Sequence, residues 1–360
     1  MRKLLLPFSL LYGFGAWLHN KLFDLQIKKS VEFDIPVISV GNLSTGGTGK
    51  TPQVEYLVKL LSQKFHCGIM SRGYKRRTSG YFVVEENSLA IDTGDEPLQM
   101  KRKFPDTTVA VCEERAIGIP IMLLDDPKLE VIILDDAFQH RRVKAGLSVL
   151  LTDYSSPFSR DHLLPVGNLR EPKQNASRAD VIVVTKCPEK ILSEEKTVLE
   201  KGLKQREGQK IFFSSLKYGE AYGMFSPEKK IDLRKIPAAI LVRGIVSASH
   251  LEKYLLKFIP DLQHKKFPDH HTFRLSELKS IHEQSRKKNL VWLTTEKDAV
   301  RLFPFKDFFQ QNEVEIYCVP VEVRFAGGEE ERFEAIVFDF LNEKLKKEHT
   351  DDTDTTDVHR

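Results

Sequence analysis

The stretch PVISVGNLSTGGTGKT, residues 36–51, decides how the rest of the chain is read. A short strand-like run, Pro36 to Val40 with β-branched Val37, Ile38 and Val40, leads into a glycine-rich turn and then into a helical pattern in which Val54, Leu57, Val58 and Leu61 share one face. Strand, glycine loop and helix in that order are the setting a phosphate-binding loop needs. Gly46, Gly47 and Gly49 let the backbone turn its N–H groups toward phosphate oxygens, and the helix start adds a positive dipole end. The loop to be tested for nucleotide is therefore Ser44, Thr45, Gly46, Gly47, Thr48, Gly49, Lys50 and Thr51. Lys50 is placed to reach the β- and γ-phosphates of ATP, and the Thr51 hydroxyl to bind Mg²⁺. The first glycine of the general G-x-x-x-x-G-K-[ST] pattern is Ser44 here.

Outward from this loop, apolar runs at 66–71, 108–111, 131–134, 147–152 and 181–185 alternate with helical stretches. That alternation predicts a P-loop NTPase-type α/β fold, a mostly parallel sheet with helices on both faces. The run 131–134 ends in Asp135-Asp136, a carboxylate pair suited to hold a metal beside the loop. Val181–Thr185 followed by Lys186 resembles the base-reading strand of GTPases, but Pro188 stands where the guanine-reading aspartate belongs, which favours ATP. A break at 218–237, rich in Gly, Pro and charge, reads as a linker. A second, smaller α/β domain follows at 238–347, with strands at 238–242, 290–294 and 314–319 and helices near 248–258, 275–288 and 329–347. Residues 23–217 form the kinase domain in this division, and 348–360 read as a disordered tail.

Residues 1–22 stand apart. Leu4 to Asn20 contains no Asp, Glu, Lys or Arg, yet is too short and too broken by Pro7, Gly13 and Gly15 for an easy membrane span. Aromatics with basic flanks suit a helix lying in a membrane interface; a core-packed first helix and a signal peptide are the alternatives.

The 360 residues, 41% hydrophobic and 29% charged, exclude wholesale disorder and a polytopic membrane protein. A net charge of +4 is compatible with an anionic substrate and too small to imply nucleic acid by itself. Four dispersed cysteines with no CxxC pair fit buried thiols better than a disulfide framework or zinc site.

Further candidates come from four segments. Asp95, in TGDEPLQ at 93–99, is either a general base for an attacking hydroxyl or the cap of the helix that follows. Arg170 and Glu171, in LLPVGNLREP at 163–172, offer a phosphate contact and a ligand for metal or sugar, or else a surface ion pair. The basic clusters 72–77, which opens with Arg72, and 141–144 follow strands and suit an anionic ligand, or else a solvated face. FPDHHTF at 267–273 sets Asp269 beside His270 and His271, a pair able to orient a proton carrier.

Taken together, GNLSTGGTGKTP (41–52), SRGYKR (71–76), GDEP (94–97), LDDAFQH (134–140), LLPVGNLREP, FPDHHTF and TTEKDAVRL (294–302) resemble the tetraacyldisaccharide 4′-kinase family of lipid A synthesis. The series spans most of the chain, and Ser44 is what that family's loop carries. Ala137 stands where the family usually has Gly, and RGIVSASH (243–250) follows its pattern loosely. The resemblance implies transfer of the γ-phosphoryl of ATP, with Mg²⁺, to the 4′-hydroxyl of an acylated disaccharide 1-phosphate lipid. It implies Asp95 as base with His270 as its partner across a domain cleft, and Lys50 as a catalytic cation. It also implies that Asp135, Asp136, Gln139, His140 and Glu171 line the metal and acceptor site, and that the protein works on the cytoplasmic face of the inner membrane. Nucleic acid and an obligate protein partner are not expected. A P-loop switch ATPase acting on a protein partner and a small-metabolite kinase remain the rival readings.

Overall fold

The computed structural model describes residues 2–204, 206–245 and 249–354. Nine strands form the main sheet, in the spatial order Val321–Phe325, Lys210–Tyr218, Val181–Thr185, Leu147–Asp153, Val37–Asn42, Val131–Asp135, Cys67–Ser71, Thr108–Val111 and Phe82–Val83. The seven inner strands are parallel, and the two edge strands are antiparallel to their neighbours. The continuous apolar runs have a simple cause. Successive strand residues point to opposite faces, and here both faces are covered. Val181 and Val183 enter one core layer with Ile38, Leu57 and Phe333, while Ile182 and Val184 enter the other with Phe158 and Phe213. Each such side chain buried contributes about 1.5–3 kcal/mol.

A second sheet of six strands runs Ser226–Ile231, Ala221–Gly223, Ile316–Val319, Val291–Thr295, Ala238–Arg243 and Asp261–Lys266. It too has a packed layer on each face, one around Trp292 and Phe309 and one around Leu241 and Leu255. The fold class expected from the sequence is the one observed.

Three boundaries differ from the expected ones. The stretch 218–237 is not a bare linker, because Ala221–Gly223 and Ser226–Ile231 pair as the antiparallel edge of the second sheet. The smaller domain does not run unbroken to residue 347: Val321–Phe325 returns to pair with Lys210–Tyr218 in the main sheet. The helix after it, Glu329–Asp354, packs Phe333, Val337 and Leu341 into the main core. That helix continues to Asp354 through most of the segment read as a tail, whereas 355–360 lie outside the described residues. Residues 246–248, within the loosely matching RGIVSASH segment, also lie outside them.

At the other end, the helix Leu6–Asp24 follows a short 3₁₀ turn, and none of the helices among the described residues is long and apolar enough to cross a membrane. It is not a core helix. Leu4, Leu6, Phe8, Leu10, Leu11, Phe14 and Trp17 each keep at least half of their surface exposed. What anchors it is polar: Ser9 Oγ donates to the Leu163 carbonyl at 2.8 Å, Tyr12 to the Arg170 carbonyl at 2.9 Å, and Asn20 to the Glu171 carboxylate at 3.2 Å.

Candidate active site

Ligand sites in open α/β sheets form beyond the carboxyl ends of the strands, and here both sheets turn those ends toward one cleft of about 620 Å³. From the main sheet it receives the loop Ser44–Thr51, Ser71 with Arg72, and Asp135 with Asp136; from the second it receives Thr295, Glu296 and Lys297, with Asp269 and His270 from a loop.

Two glycines at and before the phosphate-binding loop are required by their geometry. Gly49 precedes the helix Lys50–Leu61 at φ +87°, in the left-handed region that side chains disfavour. A Cβ on Gly41 would lie 2.7 Å from the backbone nitrogen and Cβ of Phe138. The loop is braced from the neighbouring strand end. Thr185 Oγ1 donates to the Thr48 carbonyl at 2.7 Å, and Lys186 donates to the Gly47 carbonyl while pairing with Asp153 at 2.8 Å. Lys186, which resembles the base-reading lysine of GTPases, thus holds the loop itself.

Asp135 and Asp136 behave differently although adjacent. Asp135 is fully buried; Ser71 Oγ donates to one carboxylate oxygen at 2.9 Å, and the other has no hydrogen-bond partner. Burial, reinforced by the charges of Glu96 and Asp136, pushes its pKa up to about 7. Asp136 turns out of the strand at φ +46°, and its carboxylate meets Arg170 at 2.9 Å and Lys50 at 3.8 Å. Burial opposes its ionisation, but those two cations outweigh the burial and hold it below the ordinary carboxylate range. An orphaned, buried carboxylate oxygen beside a phosphate-binding loop fits a hard divalent cation. No group of three or more His, Cys, Asp or Glu among the described residues is placed to hold one without help. Mg²⁺ commonly takes one or two carboxylates and completes its shell with substrate phosphates and water.

Across the cleft, Asp95 and His270 meet although 175 residues separate them: His270 Nδ1 lies 2.9 Å from Asp95 Oδ2. Asp95 opens the helix Asp95–Lys103, whose cap is Gly94, and makes no cap hydrogen bond to that helix. The cap reading of Asp95 therefore falls. His270 sits at φ +59°, with its Nε2 3.3 Å from Asp269 and its ring edge-on to Tyr74. Its neighbour His271 is occupied elsewhere, bonded to Glu277 and stacked on Phe267.

Not every expected residue joins them. Arg72 and Arg170 line the cleft. Glu171 is not seen beside the Asp135–Asp136 pair: the chain bends at 170–171, and Arg170 turns to Asp136 while Glu171 turns to the N-terminal helix. There its carboxylate accepts from Arg178 at 2.8 Å, Asn175 at 2.6 Å and Asn20 at 3.2 Å. Gln139 donates to the Asn42 carbonyl at 2.8 Å, an oxygen that also accepts from Arg170. His140 stands off the cleft, where burial and the charges of Arg115, Arg142 and Arg72 push its pKa down to about 4. The basic clusters are mostly neutralised: Arg76 pairs with Glu113, Arg141 with Asp24, Arg142 with Glu114 and Lys144 with Glu32.

Sequence reasoning missed Glu96, Lys297 and Arg301. Lys297 lies 3.0 Å from Glu96 and 3.5 Å from Asp269, and Arg301 Nε lies 3.4 Å from Asp95. The signals were the motif TTEKDAVRL, noted for resemblance with no role attached, and for Glu96 its place beside Asp95 in TGDEPLQ.

Comparison with known proteins agrees along the whole chain. The family profile described as Tetraacyldisaccharide-1-P 4′-kinase matches residues 1–342. A tetraacyldisaccharide 4′-kinase of Flavobacterium johnsoniae is 42% identical over 349 residues, 96% of this chain and 99% of the relative. One from Parabacteroides distasonis is 39% identical over 353 residues, 96% of each. Among solved structures, LpxK from Aquifex aeolicus in complex with ATP is similar with a TM-score of 0.73 at 30% identity, covering 94% of this chain and 99% of that one. With the match unbroken from the first residue to the last long helix, the chain belongs to the tetraacyldisaccharide-1-P 4′-kinase family.

Proposed function

We propose that this protein transfers the γ-phosphoryl group of ATP to the 4′-hydroxyl of an acylated glucosamine disaccharide 1-phosphate, forming the 1,4′-bisphosphorylated lipid and ADP. The observation that carries the reading is the cleft itself, with a phosphate-binding loop on one wall and the Asp95–His270 pair on the other. Phosphoryl transfer needs mainly alignment and charge neutralisation. Lys50 and the loop N–H groups hold the β- and γ-phosphates, and Arg170 and Arg72 add positive charge. Asp95 accepts the proton of the attacking hydroxyl as the new P–O bond forms and the bond to the β,γ-bridging oxygen breaks. His270 keeps the Asp95 carboxylate oriented. Asp135, Asp136 and the Thr51 hydroxyl would hold Mg²⁺, which when bound supplies neutralisation of phosphate charge. Arg170 and Arg72 face the acceptor, whereas Gln139 and His140 do not line the cleft and support that side from behind it, Gln139 through the Asn42 carbonyl it shares with Arg170.

The decisive measurement is ATP turnover with and without the lipid acceptor, scoring the bisphosphorylated product. A kinase turns over only with acceptor. Hydrolysis at the same rate without it would support the switch-ATPase reading instead.

The exposed apolar side of the N-terminal helix fits a membrane interface, where an acylated acceptor resides; on this reading the enzyme works at the cytoplasmic face of the inner membrane, where ATP is available. Replacing Leu10, Leu11, Phe14 and Trp17 together by Ser removes no core contact, because all four are exposed. Each apolar side chain moved out of water contributes about 1.5–3 kcal/mol, so vesicle partitioning is expected to fall by about a hundredfold or more. Turnover of vesicle-embedded acceptor should drop with it, while turnover of detergent-dispersed acceptor and ATP binding hold. Unchanged partitioning by sedimentation would refute the interfacial assignment.

A further inference from the structure

The helix Glu296–Leu302, which carries most of TTEKDAVRL, is short and largely buried. Its start is fixed from within: Thr295 Oγ1 accepts from the Asp298 backbone N–H at 3.1 Å. Three of its charged side chains reach the helix Asp95–Lys103 of the other sheet. Glu296 meets Lys103 at 3.0 Å, Lys297 meets Glu96 at 3.0 Å, and Arg301 Nε lies 3.4 Å from the Asp95 carboxylate. Lys103 in turn pairs at 2.7 Å with buried Glu55, on the helix that leaves the phosphate-binding loop.

The same short helix also grips the loop that brings His270. Lys297 lies 3.5 Å from Asp269, and Arg301 donates to the His271 carbonyl at 3.2 Å and the Gly244 carbonyl at 3.0 Å. Lys297 and Arg301 are one turn apart, so both project from one face. That face touches both members of the Asp95–His270 pair or their immediate neighbours, one member from each sheet. Arg301 Nε is buried, completes no hydrogen bond and faces Asp95, while Nη2 of the same guanidinium pairs with buried Asp298 and so fixes the side chain in place.

We infer that Lys297 and Arg301 are positioning residues for the phosphoryl acceptor's base: they hold Asp95 and His270 in register across the cleft and act on turnover only through that pair. The inference rests on the reading of Asp95 as the base. A displacement near 1 Å of a reacting group costs on the order of a hundredfold, and two ion pairs on one lysine are enough to set a displacement of that size.

The test is a double-mutant cycle on the full-length enzyme with Mg-ATP and lipid acceptor, comparing Lys297→Met, Asp95→Asn and the double variant, with Lys297→Arg as the conservative control. Lys297→Met is expected to lower kcat on the order of tenfold to a hundredfold, leaving KM for ATP near the wild-type value. Lys297→Arg should recover most of the turnover. In the Asp95→Asn background, adding Lys297→Met should cost nothing further, because groups that act as a unit are not additive. Full additivity, or a raised KM for ATP as the main effect, would overturn the inference by showing that Lys297 acts on nucleotide or on folding. If Asp95→Asn alone keeps wild-type turnover, the Asp95 reading itself fails, and the two failures are thereby distinguished. Should Lys297→Met melt too early to assay, an equally inactive but thermally stable Lys297→Arg would overturn the inference, and an active one would sustain it.

Discussion

Asp95→Asn is expected to lower the turnover number by about 10²–10⁴, the range a positioned general base contributes. The carboxylate is buried, 2.9 Å from His270 Nδ1 and 3.4 Å from Arg301, and lines the cleft that the phosphate-binding loop also lines. Asparagine keeps the shape but has no basic oxygen to take the hydroxyl proton. KM for ATP should move little, because Ser44–Thr51 and Lys50 are untouched. Stability should fall only in part: the buried contacts to His270 and Arg301 weaken, but the amide oxygen can still accept from His270 and Arg301 keeps its pair with Asp298. Asp95 makes no cap hydrogen bond, and an acidic residue in a helix's first turn is worth only about 0.3–1 kcal/mol through the dipole. His270→Ala is expected to cost less, and the double variant little more than Asp95→Asn alone. Turnover and melting temperature taken on one preparation separate the two roles: a lowered melting point with normal turnover would remove Asp95 from the chemistry.

The contrast between what the sequence disclosed and what it hid follows burial and sequence separation. Val181–Thr185 and Thr108–Val111 were legible to the residue, because strands packed on both faces must be apolar throughout. Leu275–Lys288 was legible because its single buried face repeats at helical spacing through Leu278, Ile281 and Ser285. Edge strands gave no such signal. Asp261–Lys266 buries only Leu262, and Ser226–Ile231 buries nothing, so charged residues there concealed their pairing. The return of Val321–Phe325 to the main sheet depends on a partner more than a hundred residues back, which no local pattern encodes.

The site divides in the same way. The phosphate-binding loop and Asp135-Asp136 are contiguous, and their chemistry could be read from spacing. The Asp95–His270 contact spans 175 residues and Lys297–Glu96 spans 201. Only the family resemblance linked the first pair, and nothing linked the second. Glu171, carried to the metal by the resemblance, is bonded here to Asn20, Asn175 and Arg178 and away from Asp135-Asp136, a turn of the side chain at a bend that sequence adjacency to Arg170 does not encode.

Lys50→Ala is expected to remove about 10²–10³ of the rate, the scale of a single electrostatic group aimed at developing charge. Lys50 opens its helix immediately after left-handed Gly49 and lines the cleft together with the loop. Its nearest acidic partner, Asp136, is 3.8 Å away, a loose pair that leaves the cation available to phosphate oxygens. Asp136 also keeps Arg170 at 2.9 Å, so the carboxylate does not become an unpaired buried charge when the lysine is removed. The fold should therefore survive, and the loss should appear in turnover and in ATP affinity, not in melting temperature. Asp136 would then depend on Arg170 as its closest cation, so Arg170→Ala combined with Lys50→Ala should destabilise the protein more than the two single losses added together. A turnover assay, a calorimetric ATP titration and a melting curve on each variant read these outcomes. Near wild-type turnover of Lys50→Ala at saturating ATP would mean that the loop binds its phosphate without the lysine, and the P-loop assignment would have to be abandoned.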